Sequence, residues 1–169
     1  IITLIEIGGL GFMSVASFVI FALRKKVNMN QQLAIAQSLG ADDISDALRV
    51  QKRMLLGSLL LELAGALILT ARFTGKYGFF KALKLGLFHS ISAFCNAGFD
   101  IFGFETPGES LIPFGTDAVT LLTLSVLIIV GGLGFLVWDE GVSVRKIKKW
   151  SVYTKLVLIT TASLLISGT

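Results

Sequence analysis

The sequence is short of charge, proline, histidine and cysteine. Its 169 residues hold 15% charged residues, two prolines, one histidine and one cysteine. Charge this sparse falls well below the roughly 25% of soluble domains and excludes a disordered tail. The lone Cys95 excludes an internal disulfide and any metal site built from cysteines. His89 and Cys95 lie six residues apart in one segment, and no HExxH, nucleophile elbow or paired-carboxylate motif accompanies them, so no enzyme is expected. No leader is expected, since a charged n-region and a cleavage site are both missing, and the chain opens at Ile1 inside one apolar run and stops at Thr169 inside another. An internal piece of a longer multi-pass protein is the expectation.

What is present is apolar sequence in long runs, with 54% hydrophobic residues and a mean hydropathy of +0.82. The predicted fold class is an all-α membrane protein. Residues 1–23 are long enough to cross a hydrocarbon core of about 30 Å. A polar linker, 24–53, follows, with Gly40 closing one short helix and Asp42 or Asp43 capping another that runs unbroken into a second crossing at 54–72. Thr74, Gly75 and Gly78 signal a turn. A helix over 80–95 would reach only about 24 Å before Asn96, Gly98 and Asp100 break it, which favours a segment that enters the membrane and turns back. Such backbone is tolerated only where it is buried in protein or lines a water-filled cavity. An outer loop at 100–117 holds both prolines, 118–138 is an uncharged crossing, 139–153 is a second polar linker, and 154–169 begins a further crossing.

Eleven of the 15 basic residues fall in and just after the two linkers, from Arg24 to Arg53 and from Arg145 to Lys155. The remaining four, Arg72, Lys76, Lys81 and Lys84, fall on the opposite face, so the linkers are expected on the cytoplasmic side of a plasma membrane. The net charge of +4 therefore reports orientation, and no nucleic-acid partner is expected. Trp138 and Trp150 suit the inner interface, and the phenylalanines suit lipid and packing surfaces.

Gly8-Gly9-Leu10-Gly11-Phe12 recurs unchanged 123 residues later as Gly131-Gly132-Leu133-Gly134-Phe135, each copy in an apolar run followed by a basic cluster. This indicates a parallel duplication of crossing, re-entrant segment and crossing. The spacing does not fit a phosphate loop. Small residues in membrane helices let another backbone approach, so Gly8, Gly9, Gly11, Gly131, Gly132 and Gly134 are assigned to helix packing.

The string Phe88-His-Ser-Ile-Ser-Ala-Phe-Cys-Asn-Ala-Gly-Phe-Asp100 carries the sharper chemistry. The C-terminal end of a short helix presents roughly half a negative charge. After it, Asn96, Ala97, Gly98 and Phe99 are expected to present unpaired carbonyls to a cavity, as a cation filter requires, with glycine allowing backbone angles that other residues avoid. A plain turn at a broken helix is the alternative. Asp100 could concentrate cations at the mouth or serve as a cap or turn residue. Glu6 and Glu62 are intramembrane carboxylates and so candidates for the ion path or for an interface, while packing is favoured for His89.

With its glycine repeat, this string resembles the Trk/Ktr/HKT superfamily of potassium transport proteins, especially the bacterial Ktr and Trk membrane subunits. The resemblance extends over almost the whole chain, including Leu39-Gly-Ala-Asp-Asp-Ile-Ser-Asp46. It implies four helix, pore-loop, helix repeats around one pathway, with residues 1–23 as the second helix of the first repeat and 54–138 as the second repeat. It further implies K+ held at filter carbonyls around Gly98, no cofactor in this chain, a homodimer, and a cytoplasmic nucleotide-binding regulatory subunit. The basic segments with Arg24, Lys25, Lys26, Arg145 and Lys146 are where that subunit would dock, although lipid headgroups attract the same charges. Glu6 departs from the uncharged polar residue frequent in relatives. Two alternatives stand beside potassium uptake: a sodium-permeable or ion-coupled transporter of the same architecture, and a non-conducting membrane assembly subunit.

Overall fold

A computed structural model describes residues 1–9, 44–104, 108–134, 137–138, 140–141 and 150–168. Five helices make up the described framework: α1 (Ile2–Gly9), α2 (Ile44–Tyr77), α3 (Phe79–Phe94), α4 (Ala118–Leu133) and α5 (Val152–Gly168). Two short 3-10 turns, Phe102–Phe104 and Ile112–Phe114, lie between α3 and α4. No strand occurs among the described residues.

α2 is a single 34-residue helix that joins the end of the first polar linker to the apolar run without a break. It continues through Thr74 and Gly75, where the sequence signalled a turn, because the Thr74 hydroxyl folds back onto Thr70 O at 2.7 Å and Thr74 O accepts from Gly78 N–H at 3.0 Å. Gly78, at φ 75, ends it and is the sole residue between α2 and α3. That left-handed backbone reverses the chain within one residue, which suits glycine. The stretch Lys52–Tyr77 is long and apolar enough to cross a membrane, whereas Ala118–Leu133 and Val152–Gly168 are apolar but shorter.

The buried face of α2 reads Ser58, Glu62, Gly65, Ala66, Leu69, Thr70 and Phe73, which is helical spacing along one stripe. Leu56, Leu60, Leu63 and Leu67 stand exposed on the other side. With apolar residues on both faces, the packing order cannot come from segregating oil from water, and close contact must supply it. Gly86 of α3 does this: a Cβ there would come within 2.7 Å of Ala66 O and 2.9 Å of Thr70 N. A little further along, Gly65 makes room for the Ser90 hydroxyl, which donates to Glu62 O at 2.6 Å.

Above this seam Leu69, Phe73, Ala82, Leu85, Phe102 and Leu124 form the core, flanked by Tyr77 and Phe114. Phe73 meets Phe102 edge-on at 5.5 Å and Phe114 at 5.0 Å, so both 3-10 turns are anchored by aromatic contacts to α2. Asp117 caps α4 by accepting from Val119 N–H, and Arg72 of α2 grips the same carboxylate through two bonds of 2.9 and 3.1 Å. The hydrogen bond from Arg72, then that from Thr120, holds the Asp117 carboxyl down at about 2. α4 stops at Leu133, short of the expected 138, because Gly134 adopts φ 81. Trp138 then turns back, donating from Nε1 to Val130 O at 3.0 Å and packing on Gly57 and Phe94. At the start of α5, Ser151 accepts from Thr154 N–H and donates to Glu140, whose carboxyl is kept below its usual range by hydrogen bonds from Thr154 and Ser151.

Candidate functional site

The expected helix over 80–95 spans Phe79–Phe94, and its end is closed by backbone bonds. Asn96 N–H donates to Ala93 O at 3.1 Å and Ala97 N–H to Ser92 O at 2.9 Å. With Asn96 at φ 53, these are the paired bonds of a Schellman closure. Asparagine enters left-handed backbone more readily than most non-glycine residues, and Gly98 enters it again at φ 70. The chain is thus turned twice within three residues. Ser92 clamps its return, donating from Oγ to Phe99 O at 2.7 Å and accepting from Phe99 N–H at 2.9 Å.

This clamp corrects one expectation. Phe99 O is engaged by Ser92, so it is not an unpaired carbonyl. Among the described residues, no donor reaches the carbonyls of Asn96, Ala97 or Gly98. They stand at the negative end of a 16-residue helix whose last turn holds no basic residue. The Asn96 amide lies 3.4 Å from both Phe94 O and Ile128 O, which ties the turn to α4. An added Cβ on Gly98 would meet nothing within 4 Å, so the demand for glycine there is conformational and not spatial.

The Asp100 carboxylate is exposed, but both oxygens are engaged: Oδ1 accepts from Phe102 N–H at 3.1 Å and Oδ2 from Ser110 Oγ at 2.9 Å. It staples the loop, the turn role that its sequence position had also allowed.

The glycine strings meet the end of α3 from two helices. A Cβ on Gly9 would overlap the side chain of Cys95, and one on Gly131 would overlap the carbonyl oxygen of Phe94. Gly8 has nothing within 4 Å, Gly132 only Asn96 Nδ2 at 3.7 Å, and Gly134 ends a helix instead of packing inside one. Gly11, Arg24, Lys25, Lys26, Arg145 and Lys146 lie outside the described residues.

Two arrangements were hidden in the sequence. Glu6, Glu62 and Cys95 bring their ligand atoms within 4.8 Å of one another, a mixed donor set that could hold a cation and that the cysteine count did not address. Both Glu6 oxygens are buried without a hydrogen-bond partner among the described residues, and Cys95 Sγ lies 4.0 Å from Glu62 Oε1. Only the fold could join residues 6, 62 and 95. The second is His89, 3% exposed, which holds Leu85 O at 2.8 Å through Nδ1 and is stacked on Phe102 at 4.5 Å.

Comparison with known proteins matches residues 2–164 to the family described as TrkH, cation transport protein. The Potassium/sodium uptake protein NtpJ of Enterococcus hirae is 35% identical over 168 residues, covering 99% of this chain and 36% of its own length. The Ktr system potassium uptake protein B of Bacillus subtilis is 36% identical over 164 residues, covering 97% and 36%. That of Vibrio alginolyticus is 33% identical over 173 residues, covering 98% and 36%. The chain spans about a third of the length of these relatives.

Proposed function

The chain belongs to the TrkH family of cation transport proteins, a family of membrane transporters and not of enzymes, and from that premise we propose that it contributes one filter segment to a potassium uptake protein. The filter is the backbone at 96–99, with K+ as cargo at the carbonyls of Asn96, Ala97 and Gly98. One observation carries this reading: with left-handed backbone at Asn96 and Gly98, three consecutive carbonyls beside the negative end of α3 have no donor among the described residues. Oxygens so placed can replace part of an ion's hydration shell. A helix ending in a simple turn would have no need to hold the returning chain at both polar atoms of Phe99, as Ser92 does.

In this reading α3 and the segment after it form a re-entrant loop between α2 and α4, and α1 and α4 are equivalent helices of successive repeats. The whole protein spans the plasma membrane several times, encloses one pathway with further filter segments, and needs no cofactor in this chain. A homodimer with a cytoplasmic nucleotide-binding subunit on the basic linkers completes the proposal. The family and the engaged geometry of the turn favour it over a purely structural membrane subunit. Sodium permeation in the same architecture has one specific support, the name of the Enterococcus relative, which includes both ions.

Rubidium uptake into potassium-transport-deficient cells that express the full-length parent tests the reading. Uptake blocked by potassium, spared by sodium and missing in an inserted Gly98→Asp variant is expected. Normal uptake by that variant would remove the filter assignment, and equal competition by sodium would replace potassium selectivity with the sodium-permeable form.

A further inference from the structure

A cavity of about 230 Å³ lies between the pore-facing turn and α4, lined by His89, Ser92, Asn96, Gly98, Asp100 and Ser110 together with apolar side chains. His89 and Ser92 are its most buried polar members, and the two belong to one helix face. Because Leu85 O can only accept, the 2.8 Å bond places the proton on Nδ1, and in the neutral imidazole Nε2 is then a lone pair. That Nε2 is buried and has no hydrogen-bond partner among the described residues. The ring cannot turn away freely, since Phe102 is stacked on its face and Phe73 and Phe88 stand edge-on at 6.3 and 5.7 Å.

A buried acceptor needs a donor. The side-chain donors on the cavity wall are already committed: Ser92 Oγ to Phe99 O, Ser110 Oγ to Asp100, and the Asn96 amide to Phe94 O and Ile128 O. Water is the donor that fits, as the cavity has room for several molecules at about 30 Å³ each, and His89, Ser92, Asn96, Asp100 and Ser110 set polar groups into its mostly apolar lining. We propose that His89 is a positioning residue whose Nε2 accepts from a water held in this cavity, and that this water braces the back of the 96–99 turn. The water's second proton and lone pairs reach toward the polar groups of the turn that line the same space. The helix interior and the turn are then joined at two points, by Ser92 directly and by His89 through water.

The inference rests on the filter reading for its functional consequence but not for the water itself, so the test has two arms. In the full-length protein, His89→Phe keeps the aromatic packing and removes the acceptor, while His89→Gln offers an amide oxygen in its place. Loss of one hydrogen bond supporting the turn corresponds to about fivefold in an equilibrium. The expected result is a fall of about fivefold in the potassium-over-sodium ratio for competing rubidium uptake in assembled His89→Phe, with recovery in His89→Gln. An unchanged ratio in assembled His89→Phe, or a Gln variant as impaired as Phe, would overturn the positioning role. The second arm reads the 15N resonance of His89 Nε2 in the full-length protein in lipid nanodiscs, assigned by difference from His89→Gln. A shift typical of a water-bonded lone pair is expected, and a bare-nitrogen shift overturns the proposal even if neither variant assembles. Should Gly98→Asp transport normally while Nε2 is water-bonded, the filter reading fails and the water site stands.

Discussion

Gly8-Gly9 and Gly131-Gly132 open the same five-residue string, yet the fold uses them in different register. In the first copy the second glycine is pressed against the Cys95 side chain, whereas in the second copy the first glycine is pressed against the Phe94 carbonyl. The corresponding partners, Gly8 and Gly132, have room for a Cβ. A repeated sequence therefore supplies the capacity for close approach on two helices, and the neighbour decides which glycine is used. Both contacts fall on consecutive residues at the end of α3, so the turn that follows is held between α1 and α4 at its root.

The difference in neighbours ranks the consequences. Gly131→Ala has the largest expected effect, because the obstacle is backbone at the end of a helix and cannot rotate away. A cost of about 3 kcal/mol or more is expected, read as loss of the assembled peak of the full-length protein in fluorescence-detected size exclusion. Gly9→Ala meets a side chain, so a smaller loss of about 1 to 3 kcal/mol should be partly recovered by adding Cys95→Gly. No such recovery by side-chain truncation is open to Gly131→Ala, and equal rescue of both would break the comparison.

Gly98 sharpens it from the other direction, since its surroundings are empty and only its φ of 70 is demanding. Gly98→Ala should cost about 1 to 2 kcal/mol locally, leaving assembly near normal while rubidium uptake falls. Asp117 is next. Its lowered pKa means that its contribution is fully present above the ordinary value of 3.8 and is lost as pH falls toward about 2. Asp117→Asn should therefore lower the thermal midpoint slightly at pH 7, and the gap to the parent should narrow as the solution is acidified toward pH 2. Gly8→Ala and Gly132→Ala should sit within about 0.5 kcal/mol of the parent, and a large effect of either would mean that register is not what separates the copies.

The length of α3 and the break after it could be read from residues alone, because a run of helix formers ending in Asn-Ala-Gly states both continuation and stop. The direction of the stop could not. Whether Asn96 closes a Schellman turn depends on Ser92 and Ala93 carbonyls being free to accept, and the capture of Phe99 by Ser92 depends on a chain reversal of seven residues. Helix ends elsewhere were less legible. Thr74 and Gly75 look like turn residues but stay helical because Thr74 back-bonds to Thr70, and Gly134 looks like a packing residue but takes a left-handed angle. The approach of Glu6 and Glu62 to Cys95 and the orphan nitrogen of His89 have no local signature, since each is set by which helices lie side by side.

The most direct measurement is anomalous scattering from crystals of the full-length protein grown with rubidium or thallium. A peak bounded by the carbonyls of Asn96, Ala97 and Gly98 is the predicted result. Ordered cation peaks elsewhere in the pathway, with none at these three oxygens, would contradict the assignment of this turn as a filter.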